Sequence, residues 1–160
     1  MTNEIAKRIT DFLTSIGLQV REQDLPDATF LPGIAVREGV LVVDEARLLY
    51  PGDLLHEAGH LALMASAERA TANGEVVHED PQAWEAGVVA WSYAAAMHLG
   101  IDFSVVLHDA GYQGKSKALL RTYGLGVYPG VGTLAALGLT RVGVNVEGPQ
   151  YPKMVRWLRA

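Results

Sequence analysis

The feature that most constrains the fold is a long apolar segment that begins at Pro81 and ends at Gly100. It reads PQAWEAGVVAWSYAAAMHLG and is apolar on almost every side of a helix, so this helix should lie at the centre of the molecule. Pro81 suits the first position of a helix, Asp80 suits the residue that caps it, and Gly100 suits the stop. We therefore expect the other elements to pack around this helix.

The chain is long enough to bury such a helix in a single domain over residues 1–160. Of its 160 residues, 49% are hydrophobic and 19% are charged, and its mean hydropathy is +0.14. A folded chain of this length hides roughly 70% of the surface that its unfolded form exposes, so no cross-link is needed to support the core. Cysteine is absent, which excludes disulfides, iron–sulfur clusters and cysteine-bearing zinc sites. Any metal must be held by histidine and carboxylate.

The remaining sequence predicts an α+β arrangement. Apolar residues recur at helical spacing over residues 5–16, which predicts a first helix. Two apolar runs within residues 34–43 flank a turn that contains Gly39, so a hairpin and a small antiparallel sheet are expected. A second helix should begin at Asp53, directly after a Pro-Gly break, and should continue to about Asn73.

The segment over residues 122–140 contains no charged residue, yet it is a poor candidate for a membrane span. It carries five glycines and Pro129, which would leave backbone groups without hydrogen bonds in lipid. We expect a buried loop with a short helix instead. Around it, short helices are expected over residues 103–108 and 115–123, and a strand over residues 142–146.

The charge balance argues against nucleic acid as a partner. Lys and Arg number 13 against 18 Asp and Glu, which gives a net charge of −5 and a pI near 5.5. The first 20 residues have charges spread among them and lack the apolar run of a signal peptide. We expect a cytoplasmic protein that binds neither nucleic acid nor a membrane.

The motif HEAGH at residues 56–60 opens the second predicted helix. Positions four apart lie one turn apart on one face, so the imidazoles of His56 and His60 can reach one ion. Glu57 projects beside them, where its carboxylate can take a proton from a metal-bound water without binding the ion. About one sequence in a hundred of this composition would contain the motif by chance, and the apolar helix around it makes unpartnered polar groups costly. The motif therefore predicts a catalytic zinc site.

The third ligand must come from elsewhere, because the longer motif HExxHxxGxxH is broken at positions 63 and 66, which are Leu and Ser. Glu85 is the strongest candidate, since a carboxylate near the start of an apolar helix is costly without a partner. Asp53 or Asp80 could accept a hydrogen bond from the second ring nitrogen of a ligating histidine. Rival ligands precede the helix of Glu85: His78, Glu79 and Asp80.

Three simpler interpretations stay open. His56 and His60 could be hydrogen-bonded histidines without a metal, with Glu57 only favouring the start of the helix. Zinc could also be purely structural, although such sites usually recruit cysteine. Glu85 could be a solvated residue favoured by the helix dipole.

HEAGH on one helix, followed by a glutamate on a second helix, resembles the gluzincin branch of the zincin metallopeptidases. In particular, residues 85–90 (EAGVVA) are similar to the E-A-x-x-x-A pattern of the small cytoplasmic ImmA/IrrE-type peptidases. The resemblance covers about residues 40–96. It implies a zincin-like fold, in which a small sheet packs on an active-site helix and a second helix bears a ligand. It also implies that His56, His60 and Glu85 ligate Zn²⁺ and that Glu57 is the general base.

The predicted reaction is zinc-dependent hydrolysis of a peptide bond in a peptide or protein substrate. The edge of the hairpin over residues 34–43 could bind an extended peptide as an added strand. The alternative is a non-catalytic zinc-binding module with a regulatory or interaction role. The glycine-rich stretch 124–139 could cover the cleft or join two copies of the chain as a homo-oligomer. Six side chains are candidates for stabilising an oxyanion: Tyr93, Tyr112, Tyr123, Tyr128, His98 and His108.

Overall fold

The computed structural model describes residues 1–26, 28–74 and 79–160. Within these residues the fold is α+β, as predicted. The strands are β1 (Gln19–Glu22), β2 (Ile34–Arg37) and β3 (Val40–Val43). The helices are α1 (Glu4–Ser15), α2 (Asp53–Leu63), α3 (Ser66–Arg69), α4 (Pro81–Leu99), α5 (Ser116–Gly124) and α6 (Val131–Ala136), with short 3₁₀ turns over Phe103–Val105 and Tyr112–Gly114.

The sheet is mixed, and the prediction of an antiparallel sheet is therefore corrected. The hairpin itself is confirmed, since β2 runs antiparallel to β3 with Ile34 opposite Val43. The additional strand β1 pairs in parallel with β3, which places β3 in the middle of the sheet. Sequence patterning missed β1 because Val20 is the one apolar residue in QVRE and because most of that strand is exposed.

The outer edge of β2 is already occupied at one point. The Val36 carbonyl accepts a hydrogen bond from the Gly74 N–H (3.1 Å), and the Asn73 side chain accepts one from the Glu38 N–H (3.0 Å). The segment after α3 therefore runs along the edge that was expected to receive a peptide strand. A peptide added there would have to displace this contact.

The central helix α4 is confirmed with the predicted ends. The Asp80 carboxylate accepts a hydrogen bond from the Ala83 N–H (3.1 Å), and Gly100 ends the helix with a φ of +63°. The side chains of Val88 and Trp91 have no exposed surface. On one side α4 packs against α2, and on another side it packs against α6.

The second predicted helix ends about ten residues early. After α2, Met64 and Ala65 adopt extended backbone angles, and α3 is a separate turn. The Arg69 side chain donates to the carbonyls of Leu61 (2.8 Å) and Met64 (3.0 Å). These carbonyls near the end of α2 are therefore satisfied by a side chain rather than by a further helical turn.

The last third of the chain follows the predictions in part. Helix α5 is confirmed, and α6 is the expected short helix within the uncharged stretch. The expected strand over residues 142–146 is absent from the described structure, where a single bridge joins Thr140 and Met154 instead. Within the uncharged stretch over residues 122–140, Leu134 is buried but Leu125 is 75% exposed, so this stretch is only partly buried. Among the described helices, none has the length and apolar character needed to cross a membrane.

Candidate metal centre

Helix α2 brings His56, Glu57 and His60 together. The Nε2 atoms of the two histidines are 3.2 Å apart, and one ligand atom from each of the three residues lies within 4.8 Å of the others. All three residues are partly buried. This cluster could hold a metal ion, and its geometry follows from the spacing of one helical turn that the sequence predicts.

Glycine within the motif lets α4 approach this cluster closely. A Cβ atom at Gly59 would lie 3.0 Å from Val88 Cγ1 and 3.5 Å from the indole ring of Trp91. Three leucines of α2 are buried in the core: Leu54, Leu55 and Leu61. The two helices are thus held at a short distance, which sets the position of the first turns of α4 relative to His60.

Glu85, in those first turns, reaches both histidines. Its Oε1 lies 3.1 Å from His60 Nε2, and its Oε2 lies 3.6 Å from His56 Nε2. The apolar residues around it in the sequence predict an apolar environment for Glu85, but its side chain is 52% exposed. The carboxylate is therefore a partly solvated group at the rim of the cluster, and the two imidazoles are among its partners.

The spacing of these donor atoms suits a small divalent ion. Two nitrogen ligands of a tetrahedral zinc ion, each about 2.0–2.1 Å from the metal, lie about 3.3–3.4 Å apart. The two Nε2 atoms are 3.2 Å apart, and the Glu85 oxygens are 3.1 and 3.6 Å from them. Two neutral nitrogens and one carboxylate also match the ligand types that zinc accepts. The residues fit the metal by both criteria.

The second nitrogen of each imidazole has a partner that sequence reasoning missed. The Tyr112 hydroxyl lies 3.0 Å from His56 Nδ1, and the Trp84 indole N–H donates to His60 Nδ1 over 3.3 Å. The carboxylates expected in these roles are used elsewhere. Asp53 pairs with a different histidine, and Asp80 caps α4. The one sequence signal for Trp84 is its position directly before Glu85.

Tyr112 is carried by a loop that is fastened to the start of α2. Asp53 Oδ1 lies 2.9 Å from His108 Nε2, and the Tyr50 ring stacks on the His108 ring with centroids 3.8 Å apart. The Ser116 hydroxyl donates to the His108 carbonyl over 2.7 Å. These contacts bracket the 3₁₀ turn of Tyr112 and hold its hydroxyl beside His56.

Electrostatics keep His56 neutral. Burial, with a smaller contribution from the charge of His60, lowers the pKa of His56 to about 4, against an opposing effect of Glu85. A neutral imidazole is the form that binds a metal. Nearby, burial raises the pKa of Asp53 despite its contact with His108. Burial also raises the pKa of Tyr112, with smaller contributions from the charges of Asp53 and Glu85.

The other sequence candidates lie away from the cluster or have other contacts. His78 lies outside the described residues, and Glu79 is exposed. His98 contacts the rings of Phe12 and Trp157. Three tyrosines proposed as oxyanion donors instead pack against one another: Tyr93, Tyr123 and Tyr128.

The cluster of His56, Glu57 and His60 is the feature that points to a function. No known protein family, curated protein or solved structure matches this chain. A function must therefore be inferred from the residues of the cluster and from the contacts that orient them. The most informative contact is the convergence of side chains from two separate helices, α2 and α4.

Proposed function

We propose that this protein is a zinc-dependent metallopeptidase in which His56, His60 and Glu85 hold Zn²⁺ and Glu57 is the general base. The observation that carries the proposal is the approach of Glu85, from a separate helix, to within 3.1 and 3.6 Å of the two Nε2 atoms. Two histidines one turn apart follow from local helix geometry alone. Glu85, which is 25 residues after His60, reaches them only because the chain folds so that α4 packs against α2.

The donor set favours a catalytic ion over a structural one. Three protein ligands without thiolate leave a coordination position open, which is typical of catalytic zinc. A zinc ion held there would supply Lewis acidity that polarises a carbonyl group and acidifies water. The large core supports this choice, because at least thirty apolar side chains are buried together and a core of this size should not need a metal to fold.

Glu57 is the residue best suited to move the proton. Its carboxylate lies within 4.8 Å of the ligand atoms of both imidazoles, so it can reach a water held between them. From there it takes a proton from the attacking water and returns it to the nitrogen of the leaving amine. Glu85 contacts both histidines, so its proposed role is to hold the zinc ion with them.

The wider arrangement supports a zincin-like fold. The gluzincin resemblance implies three parts that are present here: the helix of the HEAGH motif, the second helix with its glutamate, and a small sheet beside them. The substrate class that goes with this proposal is a peptide or protein. The edge of β2 has a smaller role in it than the sequence suggested, because Gly74 already bonds to Val36 there.

Metal content tests the ligand set. After incubation with zinc and dialysis, the native protein is expected to retain about one zinc ion per chain by elemental analysis. His56→Ala and His60→Ala should lose it, and Glu85→Gln should bind zinc more weakly. His98→Ala is the matched control, since it removes a histidine that contacts Phe12 and Trp157 instead of the cluster. A native protein that retains no zinc would refute the proposal.

Cleavage tests the reaction. The zinc-loaded protein is expected to cut members of an unstructured peptide library, and Glu57→Gln should abolish cutting while zinc content stays unchanged. Loss of zinc in Glu57→Gln would assign Glu57 as a ligand rather than a base. Zinc retained by the native protein without cleavage would favour the non-catalytic zinc-binding module.

A further inference from the structure

The contact between Trp84 and His60 determines where the proton of His60 lies. An indole nitrogen has one N–H and no acceptor, so it can only donate. Because Trp84 Nε1 donates to His60 Nδ1 over 3.3 Å, that nitrogen must offer a lone pair. A neutral His60 ring then carries its proton on Nε2.

That proton occupies the nitrogen that the metal site needs. His60 Nε2 faces Glu85 Oε1 at 3.1 Å and His56 Nε2 at 3.2 Å, and it is therefore the nitrogen directed towards the shared cluster. With a proton on Nε2, the ring donates a hydrogen bond into the cluster. A metal at the same place requires a lone pair on Nε2 and consequently a proton on Nδ1. The bond from Trp84 and a bond to metal exclude each other.

His56 is not subject to this conflict. Its Nδ1 lies 3.0 Å from the Tyr112 hydroxyl, which can either donate or accept. With the His56 proton on Nδ1, the hydroxyl accepts, and the lone pair of Nε2 points into the cluster. The two histidines thus differ in one respect, which is the kind of partner at the second nitrogen.

We infer that Trp84 is a positioning residue that holds His60 in the tautomer unable to bind metal, so that metal binding requires the indole to turn away. The inference rests on the proposed function, because it concerns the same zinc ligands. On binding, the Nε2 proton of His60 passes to solvent and Nδ1 takes up a proton from solvent, so the charge of the ring does not change. Trp84 is half-buried in the first turn of α4 and packs at the edge of the core. Its neighbour Glu85 is a proposed ligand. The rotation of the Trp84 indole and the binding of metal by Glu85 therefore involve the same turn of α4.

The first test is the tautomer in the native protein without metal. Nitrogen-15 NMR of the imidazole rings is expected to show an unprotonated Nδ1 and a protonated Nε2 in His60. Addition of zinc should reverse this pattern and shift the indole N–H resonance of Trp84, while those of Trp91 and Trp157 stay in place. A protonated Nδ1 in the metal-free protein, or a Trp84 resonance that does not respond to bound zinc, would overturn the inference.

The second test is the zinc affinity of Trp84→Phe, which keeps an aromatic ring and removes the donor. Since one hydrogen bond no longer opposes binding, the Kd for zinc, measured by competition with a chromophoric chelator, should fall by about two- to tenfold. Trp157→Phe is the matched control, and its Kd should equal that of the native protein. An unchanged or higher Kd in Trp84→Phe would refute the inference alone. Failure of both the native protein and Trp84→Phe to bind zinc would refute the metal site and this inference with it.

Discussion

Tyr112 reaches His56 from an unfavourable backbone conformation. Its φ is +56° and that of Gln113 is +53°, which are left-handed values for residues with side chains. Each such residue costs about 1–2 kcal/mol relative to a right-handed conformation. The surrounding contacts of His108 and Ser116 hold the turn in place. Strain of this kind is concentrated at functional sites, where it fixes the direction of a side chain.

Replacing Tyr112 with phenylalanine should weaken zinc binding. The change removes the hydroxyl that lies 3.0 Å from His56 Nδ1 and keeps the ring, so the His56 imidazole loses its orienting partner. We expect the Kd for zinc to rise by about tenfold, as for other groups that orient a ligand. Competition with a chelator measures this change.

The control for this substitution is Tyr128→Phe. It also removes a phenol hydroxyl, from a ring that packs against Tyr93. Its ring lies among the other tyrosines rather than beside His56. Equal effects of the two substitutions on the Kd would show that Tyr112 acts through general packing.

The contrast between predicted and unpredicted residues of the site has a physical cause. The positions of His56 and His60 follow from the period of a helix, which the sequence contains. Tyr112 lies 56 residues from His56, so its contact depends on how a separate loop folds back. Trp84 was missed for a similar reason, because its indole meets His60 only when α4 packs against α2.

At the scale of elements, α6 fixes the beginning of α4. Gly130 has a φ of +87°, and a Cβ atom there would overlap the carbonyl group of Ala86. The Thr133 hydroxyl also donates to the Ala83 carbonyl over 3.2 Å. Both contacts fall in the turns of α4 that carry Glu85. The packing of α6 therefore helps to position this proposed ligand.

Gly130→Ala should be strongly destabilising. The added methyl group meets backbone atoms, which cannot move aside as a flexible side chain can, and the positive φ is unfavourable for alanine. We expect the free energy of unfolding to fall by about 2–4 kcal/mol. Urea denaturation measures it.

Gly132→Ala provides the matched comparison within the same helix. A Cβ atom at Gly132 has nothing within 4 Å, and its φ is not positive. Because alanine is a better helix former than glycine, this variant should gain up to about 1 kcal/mol. If both substitutions lowered stability equally, the close approach of α6 to α4 would be unimportant.

The end of α2 offers a second test at this scale, through Arg69. Arg69→Met keeps much of the aliphatic stem but leaves the carbonyls of Leu61 and Met64 without their donor. Hydrogen bonds from a charged group contribute about 1.5–3 kcal/mol each, and water will replace part of this, so we expect a loss of about 2–3 kcal/mol in urea denaturation. Arg37→Met, at an exposed position of β2, should change stability by less than about 0.5 kcal/mol. A similar small change for Arg69→Met would contradict its role.

Elements with strong local signals were predictable, and those that depend on tertiary contacts were not. Helix α4 has a cap, a proline and a terminal glycine in its own sequence. The end of α2 has no comparable signal, since Met64 and Ala65 do not break helices. The helix ends here because the Arg69 side chain, from the following turn, donates to the carbonyls of Leu61 and Met64. Strand β1 likewise depends on its neighbour β3 rather than on its own pattern.

At the scale of the whole molecule, the core joins parts of the chain that are distant in sequence. Buried residues from α1, the sheet, α2 and α4 form one cluster with Leu134 and Leu139 from the last third. Trp91 donates to the Trp157 carbonyl over 2.9 Å, so the C-terminal segment covers the central helix. The α+β class could be predicted because it needs only the types of the elements. The course of residues 140–160 could not, because it is set by contacts with α4 rather than by local periodicity.

A second feature at this scale is a group of four tyrosines, of which Tyr93 and Tyr123 also contact Phe103. Their rings contact one another through Tyr93, which touches the other three. The Tyr123 hydroxyl donates to the Pro129 carbonyl, and the Tyr151 hydroxyl donates to the Ala90 carbonyl, both over 2.8 Å. Burial raises the pKa of Tyr123 and of Tyr151 well above the ordinary value of a phenol. The folded state therefore holds both phenols in their neutral form.

These two tyrosines should make the protein sensitive to alkaline pH. Their pKa values in the folded state lie above those in the unfolded chain, about 10, so their contribution to stability is complete below that pH. Above it, the unfolded chain releases the phenol protons and the folded protein does not. Stability should then fall by about 1.4 kcal/mol per pH unit for each phenol. Urea denaturation between about pH 8 and about pH 11 measures the slope, and tyrosinate absorbance should appear together with unfolding.

Tyr151→Phe separates the phenols from the lysines, which also titrate in this range. The variant keeps the ring in the aromatic group and removes one titrating hydroxyl, so its stability should fall less steeply with pH by about 1.4 kcal/mol per unit. Lysine titration is common to both proteins and cancels in the comparison. The same slope for the variant and the native protein would mean that the Tyr151 phenol ionises within the folded state, against the burial that surrounds it.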